Sequence, residues 1–310
     1  SVSFMKDSDE FSILKKVFKN LGNQYFDSSN LFIGPGDDAG LFNAKKELIF
    51  STDTSIANVH FPKDLEPKLI AYRACAVAAS DIAACGGKLK WLSIALTANS
   101  KEKKWIEEFS KGIKEFSDNY KVPIIGGDLT LGKEISVSIG VCGEIDKKYF
   151  MRRNGGKEKD LIFVTGNLGE ASIGLNLLKQ KKQNLKSAEK ICLKRFLKPE
   201  INFLFSQDLS RIANSCIDIS DGLMADLNHI CEQSNLKAEI NLDNMPLIGN
   251  AIKAITWGDD YQLCFTISSS KIKKLTEISK KHNVKITNIG KLTKGKGISV
   301  LSKGKKINIK

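Results

Sequence analysis

The sequence lacks the features of a membrane-spanning or structurally irregular protein. Proline is scarce, with 6 residues in a chain of 310, and 27% of the residues are charged. The longest uncharged apolar runs, such as 74–80 and 92–98, fall well short of the roughly 20 residues that a transmembrane helix needs. No short apolar run near the N-terminus is followed by a small-residue cleavage site. We therefore expect a folded cytoplasmic protein with no membrane partner.

The cysteines offer neither a disulfide framework nor a zinc site. They are an odd set of seven, spread singly with no C-x-x-C pair, and their neighbours are mostly apolar. Free, buried thiols in a reducing compartment fit this pattern best. The seven positions are Cys75, Cys85, Cys142, Cys192, Cys216, Cys231 and Cys264.

The net charge of +13 suggests nucleic acid as a partner, but the kind of basic residue argues against it. Only 5 of the 48 basic residues are arginine, and no basic motif is interleaved with aromatic residues. Recognition of bases and phosphates relies on the planar guanidinium group, which lysine does not offer. We interpret the lysines as solvated surface and expect no nucleic-acid partner; a non-catalytic basic protein that binds nucleotide or RNA is the alternative.

Apolar runs of strand length alternate with amphipathic stretches along the whole chain, which predicts the α/β (α+β) class. A polar stretch from 146 to 159 precedes a fresh series of strands and helices, so we place a domain boundary there, with domains at 1–147 and 148–310. We predict helices starting at Pro67 and ending before Gly86, and over 102–119, 170–180, 187–197 and 221–233. We predict strands over 47–54, 91–97, 122–125, 135–145, 161–165, 216–219, 238–242, 263–267, 285–289 and 298–301.

Aspartates recur where predicted strands end or where glycines make a turn. Asp37 and Asp38 lie in a glycine-rich turn, Asp53 follows a strand, Asp128 follows Gly126-Gly127, and Asp218 and Asp221 flank the start of a helix. Each has an ordinary explanation, since aspartate is a common turn residue, loop acid and helix N-cap. Ligands of α/β proteins nevertheless gather at strand ends, which makes the set a candidate site.

Asp81 is unusual in a different way. It lies near the C-terminus of a helix rich in alanine and cysteine, where the helix dipole disfavours a negative charge by roughly 0.3–1 kcal/mol. Aspartate is also a poor helix former. Either the side chain simply faces solvent, or something positive lies beside it.

Convergence of these seven carboxylates would require positive charge. Two carboxylates 4 Å apart repel by about 4 kcal/mol at an effective dielectric constant of 20. Oxygen ligands with serine and threonine hydroxyls beside them, and no cluster of histidine or cysteine, favour Mg²⁺. The glycine-rich turns offer backbone N–H groups that could cradle phosphate at helix starts. The residues therefore indicate phosphoryl chemistry on a nucleotide, without the P-loop or protein-kinase motifs.

Short motifs along the chain resemble those of the thiamine-monophosphate kinase family, in the superfamily of aminoimidazole ribonucleotide synthetase. The resemblance extends from about residue 10 to residue 290 and is specific in combination. The motifs are GDD at 36–38, STDT at 51–54, NVHF at 58–61, SDIAA at 80–84, GGD at 126–128, RNGGK at 153–157, DISDG at 218–222 and GDDY at 258–261.

The resemblance implies a two-domain fold in which the N-terminal sheet-and-helix domain binds ATP and magnesium and forms a homodimer, beside a C-terminal α/β domain. It implies direct in-line transfer of the γ-phosphoryl group of ATP onto thiamine monophosphate, with several Mg²⁺ ions and no catalytic nucleophile. The metal residues would be Asp37, Ser51, Thr52, Asp53, Asp81, Asp128, Asp218 and Asp221. ATP would contact Gly127, Arg153 and Ser220, and the thiamine substrate would contact His60 and Asp259.

The chain departs from the family's pattern in two places. Asp259 and Gln262 stand where the family usually has glutamate, and the aromatic tail that packs by the thiamine is absent. A purine-pathway synthetase of the same superfamily is the alternative enzyme, although the motifs around His60 and Asp259 favour the thiamine branch. Selenophosphate synthetase and the hydrogenase-maturation protein are disfavoured, because neither an N-terminal nor a C-terminal reactive cysteine is present.

Overall fold

The fold consists of two units, each built on its own β-sheet. The computed structural model describes residues 17–18, 20–35, 38–98 and 103–309. The first unit comprises residues 1–82 and 89–145, and the second comprises 83–88 and 146–310. Asp37 lies outside the described residues, so its predicted role as a metal ligand has no structural account.

The first unit is a four-stranded sheet with two long helices and a small two-stranded ribbon. The sheet order is β3-β6-β4-β5, with β3 and β6 antiparallel and β4 and β5 parallel. The elements are α1 (Phe26–Ser29), β1 (Leu31–Ile33), β2 (Leu41–Phe42), β3 (Glu47–Ile56), α2 (Pro67–Ala84), β4 (Lys88–Ala98), α3 (Lys103–Tyr120), β5 (Ile124–Leu131) and β6 (Ser136–Ile145).

Helices α2 and α3 cover one face of this sheet. The apolar residues of α3 recur at helical spacing and are buried: Ile106, Phe109, Ile113 and Phe116 are all fully inaccessible. The ring of Phe116 packs edge-on against Tyr72 of α2, with 5.6 Å between ring centroids. We call this face the helix side of the sheet.

The opposite face, which we call the open face, is covered only in part. Successive residues of a strand point to opposite faces, and in β3 the side chains of Leu48, Phe50, Thr52 and Thr54 are exposed. The β1–β2 ribbon covers one end of this face, where Leu31 packs with Trp91 of β4. The remainder carries exposed apolar side chains in the described structure.

The second unit is built on a seven-stranded sheet of order β13-β12-β9-β11-β7-β10-β8, in which only the β12–β9 pair is parallel. Its strands are β7 (Leu161–Thr165), β8 (Ser215–Asp218), β9 (Lys237–Asn241), β10 (Leu263–Ile267), β11 (Ile286–Thr293), β12 (Gly297–Ser302) and β13 (Lys305–Ile307). Its helices are α4 (Glu170–Lys179), α5 (Ser187–Leu197), α6 (Phe203–Leu209), α7 (Leu223–Ser234), α8 (Ala251–Thr256) and α9 (Ile272–His282).

Helices pack on both faces of the second sheet. On one face, Leu223, Leu227 and Ile230 of α7 form a stripe at helical spacing and pack with Ile162 and Val164 of β7. On the other face, α6 and α9 enclose the stacked rings of Phe163 and Phe265, whose centroids lie 5.7 Å apart. Strands β8 and β10 are therefore buried on both sides, which fixes the loops at their ends.

The predicted fold class is confirmed, and nearly all the predicted elements are present, but several strands run further than predicted, and two of these extensions involve candidate site residues. Strand β3 extends to Ile56, so Asp53 lies within it rather than at its end. Strand β5 continues through Gly126-Gly127-Asp128, which we had interpreted as a loop. Glycine fits there because a Cβ at Gly127 would lie 2.1 Å from the carbonyl oxygen of Ile94 in β4. Gly127 thus reflects a close strand approach rather than a turn, whereas a Cβ at Gly126 would meet nothing within 4 Å.

The short elements α1, β1, β2, β13, α6 and α8 were not predicted, because they span two to seven residues and carry no clear period, and no bounds were predicted for the longer helix α9. The cysteine prediction is confirmed, since all seven are free thiols and all but Cys85 are buried. Among the described residues, no helix combines the length and the apolar character that a membrane crossing requires.

Candidate functional site

Three of the predicted residues meet on the helix side of the first sheet. Ser51 and Asp53 are two residues apart in β3 and point to the same face. The hydroxyl of Ser51 donates a hydrogen bond to Asp81 of α2, with 2.5 Å between the oxygen atoms. Asp81 therefore faces the sheet rather than bulk solvent, and its position near the end of α2 is explained by this contact.

Asp53 and Asp81 form a pair of like charges. Burial raises the pKa of Asp53 above its usual value, the negative charge of Asp81 raises it further, and His60 partly opposes the shift. Repulsion between two neighbouring carboxylates is unfavourable unless a cation lies beside them. The site therefore has the chemistry of a hard-metal position, with carboxylate and hydroxyl oxygens as donors.

His60 lies in the turn that follows β3. Its Nδ1 accepts a hydrogen bond from the backbone N–H of Ile56 at 3.0 Å, so in its neutral form the ring carries its proton on Nε2. The side chain is exposed, and its influence on Asp53 places it on the same side of the sheet. A histidine next to two carboxylates can offer an N–H to an anionic or polar group.

Asp128 and Thr52 lie on the open face instead. Thr52 alternates with the inward-pointing Ser51 and Asp53 and is exposed. Asp128 alternates with the buried Leu129 in β5 and is also exposed. The structure therefore separates these two predicted metal ligands from Asp53 and Asp81 by the thickness of the sheet. Gly127, the predicted ATP contact, lies next to Asp128 in β5.

In the second unit, the loop from 218 to 222 joins β8 to α7 and is organised by Asp226, in the first turn of α7. One oxygen of Asp226 accepts the backbone N–H groups of Ser220, Asp221 and Gly222 at 3.0, 3.0 and 3.1 Å. Burial raises the pKa of Asp226 above its usual value, and the three donors oppose that rise. Asp218 is buried at the end of β8, whereas Asp221 is exposed.

This arrangement corrects one expectation. The glycine-bearing turn at 220–222 was expected to offer its backbone N–H groups to phosphate. Those three groups are instead taken by the chain's own carboxylate, because Asp226 occupies the place that an anion would fill. The loop is thus preformed without a ligand.

A second loop, 258–262, runs alongside the first and extends the β8–β10 pairing. The backbone N–H of Asp259 donates to the carbonyl of Ser220, and that of Tyr261 donates to the carbonyl of Ile219, both at 2.8 Å. Gly258 permits this approach, since a Cβ there would lie 1.9 Å from the carbonyl oxygen of Ser220. The hydroxyl of Tyr261 donates to Asp259 Oδ1 at 3.1 Å. Asp218, Ser220, Asp221 and Asp259 therefore form one contiguous group.

Asp260 points away from this group and is 7% exposed. Its carboxylate accepts the N–H of Gly169 at 2.9 and 3.1 Å and that of Ala171 at 3.4 Å, at the start of α4. Burial raises the pKa of Asp260 to about 7; the backbone donors oppose this, and Glu170 and Asp259 add to it. The sequence alone does not identify Asp226 or Asp260 as a functional residue. Asp260 lies within the GDDY motif, and Asp226 lies four residues after the DISDG motif.

Gln262, where the family usually has glutamate, is buried and satisfied. Its Oε1 accepts from the hydroxyl of Thr165 at 2.7 Å, and that hydroxyl in turn accepts the N–H of Leu263 at 2.9 Å. The side chain therefore ties β7 to β10 rather than pointing to the candidate site. The departure at this position affects the sheet and leaves the loop 258–261 as it is.

Arg153 is not brought to this group. The hydroxyl of Ser234, the last residue of α7, donates to the carbonyl of Arg153 at 3.0 Å. Ser220 and Asp221 precede the first turn of the same helix, whose 12 residues rise about 18 Å. The exposed Arg153 therefore belongs to the opposite end of α7 within this unit. The carbonyl of its neighbour Arg152 accepts the backbone N–H of Cys216 in β8 at 3.1 Å.

No group of three or more His, Cys, Asp or Glu side chains close enough to hold a metal ion occurs within the described part of the chain. Asp53 and Asp81 form a pair on the helix side of the first sheet. Asp218, Asp221 and Asp259 are spread along the two loops of the second unit and are not close enough together to hold a metal ion by themselves. A complete metal site therefore needs oxygen atoms beyond either set, such as those of a phosphate or of water.

Comparison with known proteins gives matches over most of the chain. Residues 36–145 match the family described as AIR synthase related protein, N-terminal domain, and residues 157–303 match its C-terminal domain. Thiamine-monophosphate kinase from Buchnera aphidicola subsp. Schizaphis graminum is 41% identical, and the match covers 97% of each chain.

Solved structures match over similar lengths. The crystal structure of thiamine-monophosphate kinase from Stenotrophomonas maltophilia K279a is 30% identical with a TM-score of 0.84, covering 94% of this chain and 96% of that one. The structure of AaThiL complexed with AMPPCP and TMP is 29% identical with a TM-score of 0.75, covering 99% and 98% of the two chains.

The raised pKa of Asp260 predicts a stability that depends on pH. Because the folded state holds the proton up to about pH 7 and the unfolded chain only to 3.8, folding stability contributed by this residue falls as the pH rises between those values. Asp260→Asn cannot ionise, so we expect its unfolding free energy to rise relative to the original chain by about 3 kcal/mol between pH 5 and pH 8. Urea unfolding of both proteins at the two pH values measures this. A constant difference between them would contradict the prediction.

Proposed function

The chain belongs to the thiamine-monophosphate kinase family, and we propose that it transfers the γ-phosphoryl group of ATP to thiamine monophosphate, which gives thiamine diphosphate and ADP. Support comes from the relative that is 41% identical over 97% of its length and from the complex of AaThiL with AMPPCP and TMP, which this chain matches over 99% of its residues. The seven free thiols fit a reducing compartment, consistent with a cytoplasmic enzyme.

The observation that carries the proposal is the pairing of Asp53 with Asp81 on the helix side of β3, a strand that also carries hydroxyl side chains. Phosphoryl transfer depends on positioning and charge neutralisation, and the acceptor phosphate is already ionised, so no strong base is required. The described residues around these carboxylates accordingly supply oxygen donors and a histidine N–H. Ser51 holds Asp81 by its hydrogen bond and so fixes the direction of one carboxylate.

Magnesium fits this donor set. Burial and, after it, the negative charge of Asp81 raise the pKa of Asp53, and His60 offsets this only in part. Hard oxygen donors with no cysteine beside them suit Mg²⁺ rather than zinc. Bound magnesium supplies the charge that offsets the phosphate oxygens of ATP. In the first unit Ser51, Asp53 and Asp81 would hold it, and in the second Asp218 and Asp221.

The roles of the individual residues follow the motifs of the family. Ser220 lies beside Asp221 in a loop that Asp226 holds rigid, which suits a nucleotide contact. Asp259, oriented by Tyr261, suits the acceptor, as does the exposed His60. On the motifs alone we assign metal binding to Asp37, Ser51, Thr52, Asp53, Asp81, Asp128, Asp218 and Asp221, ATP binding to Gly127, Arg153 and Ser220, and thiamine monophosphate binding to His60 and Asp259. The geometry of the separate units does not add support for Thr52, Asp128 and Arg153, which lie apart from the other residues of their sets.

The proposed activity predicts a product that can be measured directly. Purified protein with ATP, magnesium and thiamine monophosphate should form thiamine diphosphate, detected as its thiochrome derivative, with one ADP per product. Removal of divalent cations with EDTA should stop the reaction, and added magnesium should restore it. Absence of thiamine diphosphate, or ADP release that does not depend on thiamine monophosphate, would contradict the proposal.

Loss of a proposed metal ligand should remove activity without unfolding the protein. We expect Asp53→Asn to lower kcat by about 100-fold or more, since the charge that organises the phosphates is lost. Its unfolding free energy should stay the same or rise by up to about 1 kcal/mol, because the repulsion with Asp81 is relieved. Asp128→Asn should also abolish turnover.

Glu108→Gln is the matched control, because it removes one carboxylate from the surface of α3, where Glu108 pairs with Lys111. Turnover within twofold of normal is expected for it. An Asp53→Asn or Asp128→Asn protein with near-normal kcat would remove that residue from the metal set.

We further propose a homodimer formed through the open face of the first sheet, in the domain spanning 1–147, with 148–310 as the C-terminal α/β domain. Phe50 is 65% exposed in the middle of β3, and Leu48 is 44% exposed beside it. Contiguous apolar side chains on a sheet face are typical of an interface. Thr52 and Asp128 lie on the same face, so a dimer built on it would enclose both.

A charge on the open face should separate the subunits. Phe50→Glu would bury a carboxylate in the proposed interface without an established partner, which costs several kcal/mol. We expect light scattering to give the mass of two chains for the original protein and of one chain for Phe50→Glu. The control Ile191→Glu, on the exposed surface of α5, should leave the dimer intact. A single-chain mass for the original protein, or an unchanged dimer for Phe50→Glu, would contradict the interface.

A further inference from the structure

Two buried carboxylates remain without a role in the proposed reaction, Asp226 and Asp260. Asp226 lies in the first turn of α7 and Asp260 in the loop 258–262, and each accepts backbone N–H groups at the start of a helix, α7 and α4 respectively. We propose that they are positioning residues with separate tasks: Asp260 fixes the loop that presents Asp259 to the acceptor, and Asp226 fixes the loop that presents Ser220 and Asp221 to the nucleotide. This inference rests on the proposed function for the identity of the two substrates.

The loop around Asp259 is strained. Asp259 has φ 71° and Tyr261 has φ 47°, both in the left-handed region that residues with a side chain avoid at a cost of roughly 1–2 kcal/mol each. Two such residues within three positions persist only where the surroundings hold them. Asp260 stands between them in the sequence, so its anchor acts on the strained segment itself.

The anchor of Asp260 is strong and directional. Both oxygens approach the N–H of Gly169, at 2.9 and 3.1 Å, and one also approaches that of Ala171. These N–H groups belong to the start of α4, where the helix dipole favours a negative charge. Since Asp260 is turned into the protein, Asp259 is turned to the other side of the chain, where the Tyr261 hydroxyl meets its carboxylate.

The anchor of Asp226 is built in the same way on a different helix. Three consecutive N–H groups, those of Ser220, Asp221 and Gly222, converge on one oxygen of Asp226. With its backbone bound inward, this loop leaves the exposed carboxylate of Asp221 and the partly exposed hydroxyl of Ser220 on the other side. Asp226 and Asp260 bind different N–H groups, and the two loops are joined by the backbone hydrogen bonds from Asp259 and Tyr261 to the first loop.

Separate anchors predict separate kinetic effects, which a general loss of structure would not give. At pH 8, Asp260→Ala should raise the KM for thiamine monophosphate about tenfold, which corresponds to about 1.4 kcal/mol, and leave the KM for ATP within twofold. Asp226→Ala should raise the KM for ATP by a similar factor and leave that for thiamine monophosphate within twofold. Each variant is thus the matched control of the other.

The conservative variants Asp260→Asn and Asp226→Asn keep one acceptor oxygen for the same N–H groups. We expect each to shift the same KM as its alanine counterpart, but by less than threefold. They also carry the test where an alanine variant does not fold, as judged by circular dichroism. Equal shifts of both KM values, a shift in the wrong one, or unchanged values in all variants would overturn the inference.

Hydrogen exchange separates this inference from the proposed function. Peptides covering 258–262 should lose protection in Asp260→Ala and those covering 219–222 in Asp226→Ala, whether or not the protein phosphorylates thiamine monophosphate. An inactive original protein would overturn the proposed function alone. Unchanged exchange at both loops would overturn the positioning roles alone.

Discussion

A buried carboxylate must be met by hydrogen-bond donors or by positive charge, and this constraint organises the chemistry of the protein. Asp226 and Asp260 are met internally, by backbone N–H groups at the starts of α7 and α4. Asp53 and Asp81 are met only in part, since a serine hydroxyl satisfies one oxygen and the repulsion between them remains. The carboxylates of Asp226 and Asp260 hold loops in place, whereas those of Asp53 and Asp81 are suited to a cation that binds together with a substrate.

These two kinds of carboxylate bear on how a site rich in aspartate can receive a triphosphate. Where helix starts bind phosphate directly, their N–H groups must be left open. At 220–222 the chain has filled that position with its own carboxylate, so these three N–H groups are not open to a phosphate. The sequence accordingly has few arginines that could bind phosphate directly and many aspartates in its motifs.

Much of the fold could be predicted from the sequence, because long helices and buried strands have clear periods. The stripe of α3 from Ile106 to Phe116 and the burial of β10 followed directly from the pattern. The sequence predicts a loop at Gly126-Gly127, whereas the structure has a strand there. The pattern is ambiguous because a turn and a close approach between parallel strands, as at Gly127, both favour glycine. The face on which Asp128 lies could not be predicted either, since it depends on the register of β5 against β4, which no local pattern encodes. Asp226 and Asp260 look like ordinary acids in the sequence and gain their meaning only from the N–H groups that tertiary packing places before them.

The left-handed backbone at residue 259 also bears on which side chains evolution can place there. Short polar residues visit that conformation far more readily than long or β-branched ones, because their side chains can bond locally to the backbone. An aspartate at this position is one methylene shorter than a glutamate and so reaches less far, but it adopts the left-handed conformation more readily. A glutamate at this position would reach further and fit this backbone less well, so with aspartate the substrate would have to come closer to the chain.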